Sequence, residues 1–252
     1  DDYVSTDIYH ILYETALHFE ADIVFCGFFK ETKNKKFVAS DEVEDITCFS
    51  KNKIRAFMLD MIASAPAIKK ERKYYMSVWH AIYRRSLIER CNGHFMSERD
   101  VASQDLSFQL DVIRSSQKIV YIPDNLYYYC LNNSSLTATF NPLKFYKFKY
   151  LYKLLSNKFA GDQEIEERLM RFFIGYTRTQ IHHLTVSNYS NKKKHLLDIV
   201  NDQIWNEIRI AYPISKILSI HQKIMYCLVL GKHTNTLFLF SKVINLIRKI
   251  RS

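Results

Sequence analysis

The chain has 252 residues, 48% hydrophobic and 25% charged, with only five glycines, four prolines and a net charge of +10. That is enough apolar material for one large domain or two small ones, and it excludes disordered, collagenous and low-complexity classes. The longest apolar stretch, IMYCLVLG at 224–231, is less than half of the roughly 18 residues that a membrane span needs.

Position matters more than total for the charge. Residues 1–140 hold 17 Lys and Arg against 19 Asp and Glu, a balance of −2, whereas residues 141–252 hold 19 against 7, a balance of +12. A near-neutral first part joined to a basic second part points to an anionic surface as partner of the second. The five cysteines (Cys26, Cys48, Cys91, Cys130, Cys227) are scattered, odd in number and without C-x-x-C spacing. They fit a reduced, cytoplasmic setting and read as small buried apolar residues. His182 and His183 are adjacent, so a helix separates them by about 100° and denies them the spacing of a paired metal ligand. An opening Asp-Asp without methionine gives the expectation that the sequence comes from inside a longer protein.

In chain order, Ser5-Thr6-Asp7 before Ile8, Ile11, Leu12, Ala16 and Phe19 predicts a capped amphipathic helix. DIVFCGFF from Asp22 is a short run of β-branched and aromatic residues, a buried strand. Residues 30–50 read as a hairpin or surface excursion, and helices follow near 51–64 and 79–90. Ser103 is expected to cap a periodic segment with Leu106, Leu110 and Ile113. KIVYIP from Lys118 and NLYYYC from Asn125 read as two strands around a turn at Pro123-Asp124. Beyond Pro142 everything is helical: LKFYKFKYLYKLL from Leu143, a break at Gly161-Asp162, then helices near 163–185, 193–209, 214–231 and 235–250. The predicted class is α/β over 1–140 and all-α over 141–252.

Three features carry candidate chemistry, each with a plainer alternative. Asp1 and Asp2 stand before a helix, where adjacent carboxylates either ligate a hard divalent cation or complement the helix dipole. Asp105 lies in the first turn of the helix begun at Ser103. It is either a directed carboxylate suited to take a proton from a hydroxyl, kept ionised by the dipole, or an ordinary acidic helix start. Trp79, Tyr83, Tyr127, Tyr128 and Tyr129 either face a sugar ring or fill a core.

Four blocks tip the balance. DDYVSTDIYHILYETALHFEADIVFCGFF at 1–29 resembles the segment that follows the D-x-D metal motif in family 2 glycosyltransferases of GT-A fold. SVWHAIYRRSLIE at 77–89 is similar to W-N-K-L-Y-R-R-x-x-I, and FMSERDVASQDLSFQL at 95–110 is similar to F-x-E-x-x-x-x-E-D-x-x-F. IVYIPDNLYYYCLNNSSLT at 119–137 is similar to I-x-x-I-x-x-x-L-Y-x-Y-R-x-x-x-x-S-I-T. The resemblance implies a partial GT-A domain over 1–140, its acceptor-side half, with the nucleotide-binding half upstream. It implies a transferase of hexosyl type that moves sugar from a nucleotide-sugar donor to a saccharide or lipid-linked acceptor with inversion, in surface polysaccharide or glycolipid synthesis. Asp105 would be the catalytic base, Trp79, Tyr83 and Gln104 substrate-binding residues, and Asp1 with Asp2 the ligands of Mg or Mn. Asp1 aligns with the second aspartate of D-x-D. The chain by itself would be inactive.

This sequence departs from the pattern in places. Gln104 replaces the usual glutamate of the E-D pair, His80-Ala81 replace Asn-Lys, and Cys130 replaces an arginine. Asn132 stands where some members carry a histidine.

The basic region 141–252 has two readings. Its aromatic-lysine run and the last helix, with Lys242, Arg248, Lys249 and Arg251, suit peripheral contact with the inner face of the cell membrane; a helical bundle with a solvated basic face is the other. Nucleic-acid binding is disfavoured, because no recognised motif accompanies the charge. A non-catalytic scaffold of glycosyltransferase descent is the remaining alternative.

Overall fold

The computed structural model describes residues 2–32, 35–39, 43–66, 68–132, 139–217 and 219–251, without the side chains of 248–251. The chain divides into two compact units. The first comprises 1–62, 72–99 and 103–135, the second 63–71, 100–102 and 136–252.

The first unit is a mixed sheet covered on both faces. Its two central strands, β2 (Ile23–Glu31) and β6 (Lys118–Cys130), run parallel, with Ile23 opposite Ile119 and Phe25 opposite Tyr121. Four shorter strands complete the edges. β5 (Ala81–Tyr83) and β3 (Lys36–Val38) pair with the two ends of β2, and β4 (Thr47–Ser50) and β1 (Tyr3–Val4) with the two ends of β6, all antiparallel. The strands at 22–28 and 118–129 therefore share one sheet, as the block order implies.

Alternation sorts β2 onto two cores, which is why it reads as a continuous apolar run. Val24 and Cys26 join Val120, Ile122 and Leu126 beneath Ile8 and Leu12 of α1 (Ile8–His18). On the opposite face Phe25 packs against Phe57 and Tyr121, with α2 (Lys51–Ile62) and α4 (Gln104–Ser115) packed together there.

Several local expectations change. Residues 118–130 form one strand, not two around a turn. The register against β2 slips twice, between Phe25 and Gly27 and between Gly27 and Phe28, so β6 carries extra residues at Ile122–Asp124 and at Leu126. Pro123, lacking an N–H, is tolerated there. The helix expected over 79–90 is the strand β5 followed by the short α3 (Arg85–Arg90), because Ala81–Tyr83 find partners on β2. Neither Asp7 nor Ser103 makes a side-chain cap bond; Ser103 is left-handed, with φ 62°. Cys48 and Cys227 are exposed rather than buried.

The second unit is all helical. It contains α5 (Lys144–Lys158), α6 (Gln163–Val186), α7 (Lys192–Asn201), α8 (Ile204–Ala211), a 3-10 turn at Ile214–Lys216, α9 (Ile220–Leu230) and α10 (Thr234–Arg251). Gly161, at φ 89°, makes the turn between α5 and α6, and the Asp162 carboxylate caps α6 by accepting from the Ile165 N–H at 3.2 Å. The helix expected over 193–209 is two helices, with Asp202 receiving the Ile204 N–H at the break and pairing with Lys149.

The lysine-aromatic run folds as an ordinary amphipathic helix. Phe145, Phe148, Tyr152 and Leu155 turn inward, against Phe172, Phe173 and Tyr176 of α6. Arginines fasten 63–71 to α6. Arg168 donates to the Ala63 carbonyl, Arg171 to those of Ser64, Ala65, Ile68 and Lys70, and Arg178 pairs with Glu71 at 2.5 Å.

Candidate active site

The first unit gathers the predicted site residues on one series of contacts. Trp79 sits just before β5, half-buried, and stacks on Tyr127 at 4.1 Å and on Tyr129 at 5.6 Å. The two tyrosines are two apart on β6 and so share a face. Tyr128 points to the other face, where it stacks on Tyr3 and Phe29 beneath the Lys36 ammonium.

His80 holds Trp79 in place. Its carbonyl accepts from the Cys26 N–H at 2.9 Å, and its ring Nδ1 pairs with the Cys26 carbonyl at 2.8 Å, which makes Nδ1 the protonated nitrogen. Burial pushes this imidazole down to about 4, although the carbonyls of Cys26, Ser77 and Tyr75 favour the cation. It is therefore a neutral structural donor. The side chain of an asparagine, usual here in the resembled family, could donate the same bond.

The two acids lie at the ends of this series. The Asp105 carboxylate is half-buried in the first turn of α4, where the backbone N–H of Val78, the neighbour of Trp79, favours its charged form. At the other end the Tyr127 hydroxyl donates to Asp2 at 2.9 Å, and the Cys130 N–H donates to the other Asp2 oxygen at 2.8 Å. Both oxygens of Asp2 thus tie the chain start to β6. Asp1, the other expected metal ligand, lies outside the described residues. Among the described residues no cluster of three or more His, Cys, Asp or Glu could hold a metal ion.

Around Asp105 the surroundings favour the protonated form. Burial raises its pKa and the nearby Glu98 raises it further, against the Val78 N–H and its own N–H, which lower it. The dipole expected to keep it ionised is outweighed, and the result is a more basic carboxylate. Gln104 donates to Glu98 at 3.0 Å, which directs Glu98 along α4.

Tyr83 and Gln109 complete the set. The fully buried Gln109 amide donates to the Tyr83 hydroxyl at 2.7 Å, and Gln109 lies one turn beyond Asp105. Burial and the Asp105 charge push the Tyr83 phenol up against that amide, so it stays protonated. Gln109 and Glu98 were not singled out from the sequence. The four-residue spacing from Asp105 was the one signal for Gln109.

The second unit has a surface depression lined by Glu71, Arg171, Arg178, Tyr212 and Lys216, but Arg178 pairs with Glu71, Lys216 with Glu167, and Arg171 donates to backbone carbonyls. It adds no chemistry.

No family model matches the chain. Among curated proteins it is 30% identical over 138 residues to "Uncharacterized glycosyltransferase EpsJ" of Bacillus subtilis (strain 168), a match covering 54% of this chain and 37% of EpsJ. Among solved structures, S. aureus TarS 1–349 superposes over 98% of this chain and 64% of its own length, with a TM-score of 0.57 and 11% identity. The same protein in complex with UDP-GlcNAc gives a TM-score of 0.58. The fold is the α/β fold of TarS. The match extends over both the sheet unit and the helices, while this chain spans about a third of EpsJ and under two thirds of TarS 1–349.

Proposed function

We propose that this chain forms the acceptor-side catalytic part of a nucleotide-sugar-dependent glycosyltransferase. The observation that carries the reading is Asp105: a half-buried carboxylate of raised pKa at the start of α4, near the backbone of Val78 next to the Trp79–Tyr127–Tyr129 stack. The likeness to EpsJ and the nucleotide-sugar complex of TarS support it.

In this reading the acceptor sugar lies against Trp79 with its reacting hydroxyl at Asp105. Asp105 takes the hydroxyl proton as the acceptor oxygen forms its bond to the donor's anomeric carbon. On the opposite side the bond from that carbon to the diphosphate breaks, and the nucleoside diphosphate leaves with the electron pair. One displacement inverts the configuration. Tyr83, kept protonated and aimed by Gln109, is a hydrogen-bond donor beside the same carboxylate.

A divalent cation (Mg or Mn) held by Asp1 would supply charge neutralisation on the leaving diphosphate. Asp2, committed to Tyr127 and Cys130, would position Asp1 rather than ligate. The acceptor is a saccharide or glycolipid at the cytoplasmic face of the cell membrane.

The test is release of nucleoside diphosphate by the intact gene product, offered a panel of nucleotide sugars with and without oligosaccharide and lipid-linked acceptors. Release that requires one sugar and one acceptor supports the proposal. No turnover of any donor, with the protein folded, goes against it.

A further inference from the structure

Helix α10 is built with its polar side inward. Leu237, Ser241 and Asn245, spaced by four, face α6, and Leu237 and Ser241 are fully buried. The Ser241 hydroxyl bonds His182 Nδ1 at 2.7 Å and the Thr185 hydroxyl at 3.2 Å, while the Asn245 amide donates to the His182 carbonyl at 2.9 Å and to Thr185 Oγ1 at 3.0 Å. Rotating the helix would strand these buried groups, so its register is fixed. The opposite side is thereby committed to solvent, and it is apolar: Leu239 is 64% exposed, Val243 46%, Leu246 60% and Ile247 40%. Helix α9, joined to α10 by Gly231–His233, buries Met225, Tyr226 and Val229 in the ordinary way yet also leaves Ile220 76% and Ile224 38% exposed. A soluble helix shows the reverse arrangement, and an exposed apolar stripe of this extent marks an interaction surface.

Charge identifies the partner. From residue 220 to 251, the span of the two helices, the sequence has six Lys and Arg and no Asp or Glu. A second copy would bring two acid-free basic hairpins together. A nucleic acid would meet the charge but leave the leucines in water. A bilayer with anionic headgroups answers both features, the stripe entering the headgroup boundary and the bases meeting phosphate. Crossing it is not implied, since no helix among the described residues is long and apolar enough.

We propose that the α9–α10 hairpin docks on an anionic lipid bilayer. The inference narrows the basic region to one helical hairpin and stands whether or not the transferase reading does.

The experiment is co-sedimentation of the full chain with vesicles of phosphatidylcholine alone or mixed with phosphatidylglycerol. It compares wild type with the double variant Leu239→Ser, Leu246→Ser, whose exposed positions leave the fold intact by circular dichroism. The wild type should partition onto anionic vesicles and the double variant should lose at least about tenfold in partitioning. Lys223→Gln with Lys242→Gln should weaken binding in a salt-sensitive way. Equal binding to neutral and anionic vesicles, or a double variant that binds like wild type, overturns the proposal. So does a stable dimer by light scattering, or duplex DNA retention, without vesicle binding.

Discussion

Acidification should weaken the sheet unit through His80. Its imidazole is fully buried and donates from Nδ1 to the Cys26 carbonyl, and burial holds it at about 4 instead of the ordinary 6.5. The unfolded chain therefore binds a proton that the folded chain refuses between these values. Stability from this residue is complete above pH 6.5, falls as pH drops toward 4, and is flat below that. A gap of about 2.5 pH units at 1.36 kcal/mol each makes the loss about 3 kcal/mol. His80→Asn keeps an amide donor to Cys26 but cannot titrate, so the difference between the two proteins cancels the carboxylates. Urea unfolding at pH 7, 6, 5 and 4 is the assay, on a Trp205→Phe background that leaves Trp79 as the fluorophore of this unit. The stability advantage of the histidine protein over the His80→Asn variant should shrink by about 3 kcal/mol from pH 7 to pH 4. A difference that stays constant would mean that His80 does not titrate on unfolding as its burial requires.

Three further outcomes follow. Arg171→Ala strands the carbonyls of Ser64, Ala65, Ile68 and Lys70 and should cost the helical unit about 2–4 kcal/mol in denaturant unfolding, with Arg171→Lys recovering only part. Tyr83→Phe leaves the buried Gln109 amide with only the Ser77 carbonyl at 3.4 Å and should cost about 1–3 kcal/mol; adding Gln109→Leu should restore some of it, a non-additivity read by a double-mutant cycle. Asp105→Asn should raise the thermal midpoint at neutral pH. A carboxyl of raised folded pKa binds its proton more tightly than the unfolded chain does, so wild-type stability falls as pH rises through that range and the amide escapes the loss.

The main elements were legible because their signals are local. The apolar run at 23–28, the amphipathic period of 8–19 and the Gly161-Asp162 punctuation each specify their element without help from distant residues. What failed depends on partners. Ala81–Tyr83 look helical until β2 is present to pair with them, and Pro123 looks like a turn until the register slip shows a bulge. Trp79 and Asp105 are legible in their blocks, but the burial of Asp105 and the Glu98 charge near it arise from folding alone. Composition shows the basic excess of the second unit. It does not show that α10 turns serine and asparagine inward and leucines out, which the hydroxyl network with α6 decides.

Whether Asp105 is the base for glycosyl transfer is decided by turnover of Asp105→Asn in the intact gene product, with donor affinity measured alongside. Loss of the base should lower kcat by at least about a hundredfold while donor binding stays nearly unchanged. Retention of more than about a tenth of wild-type kcat would limit the lost barrier to under about 1.4 kcal/mol, too little for the catalytic base, and would contradict that role.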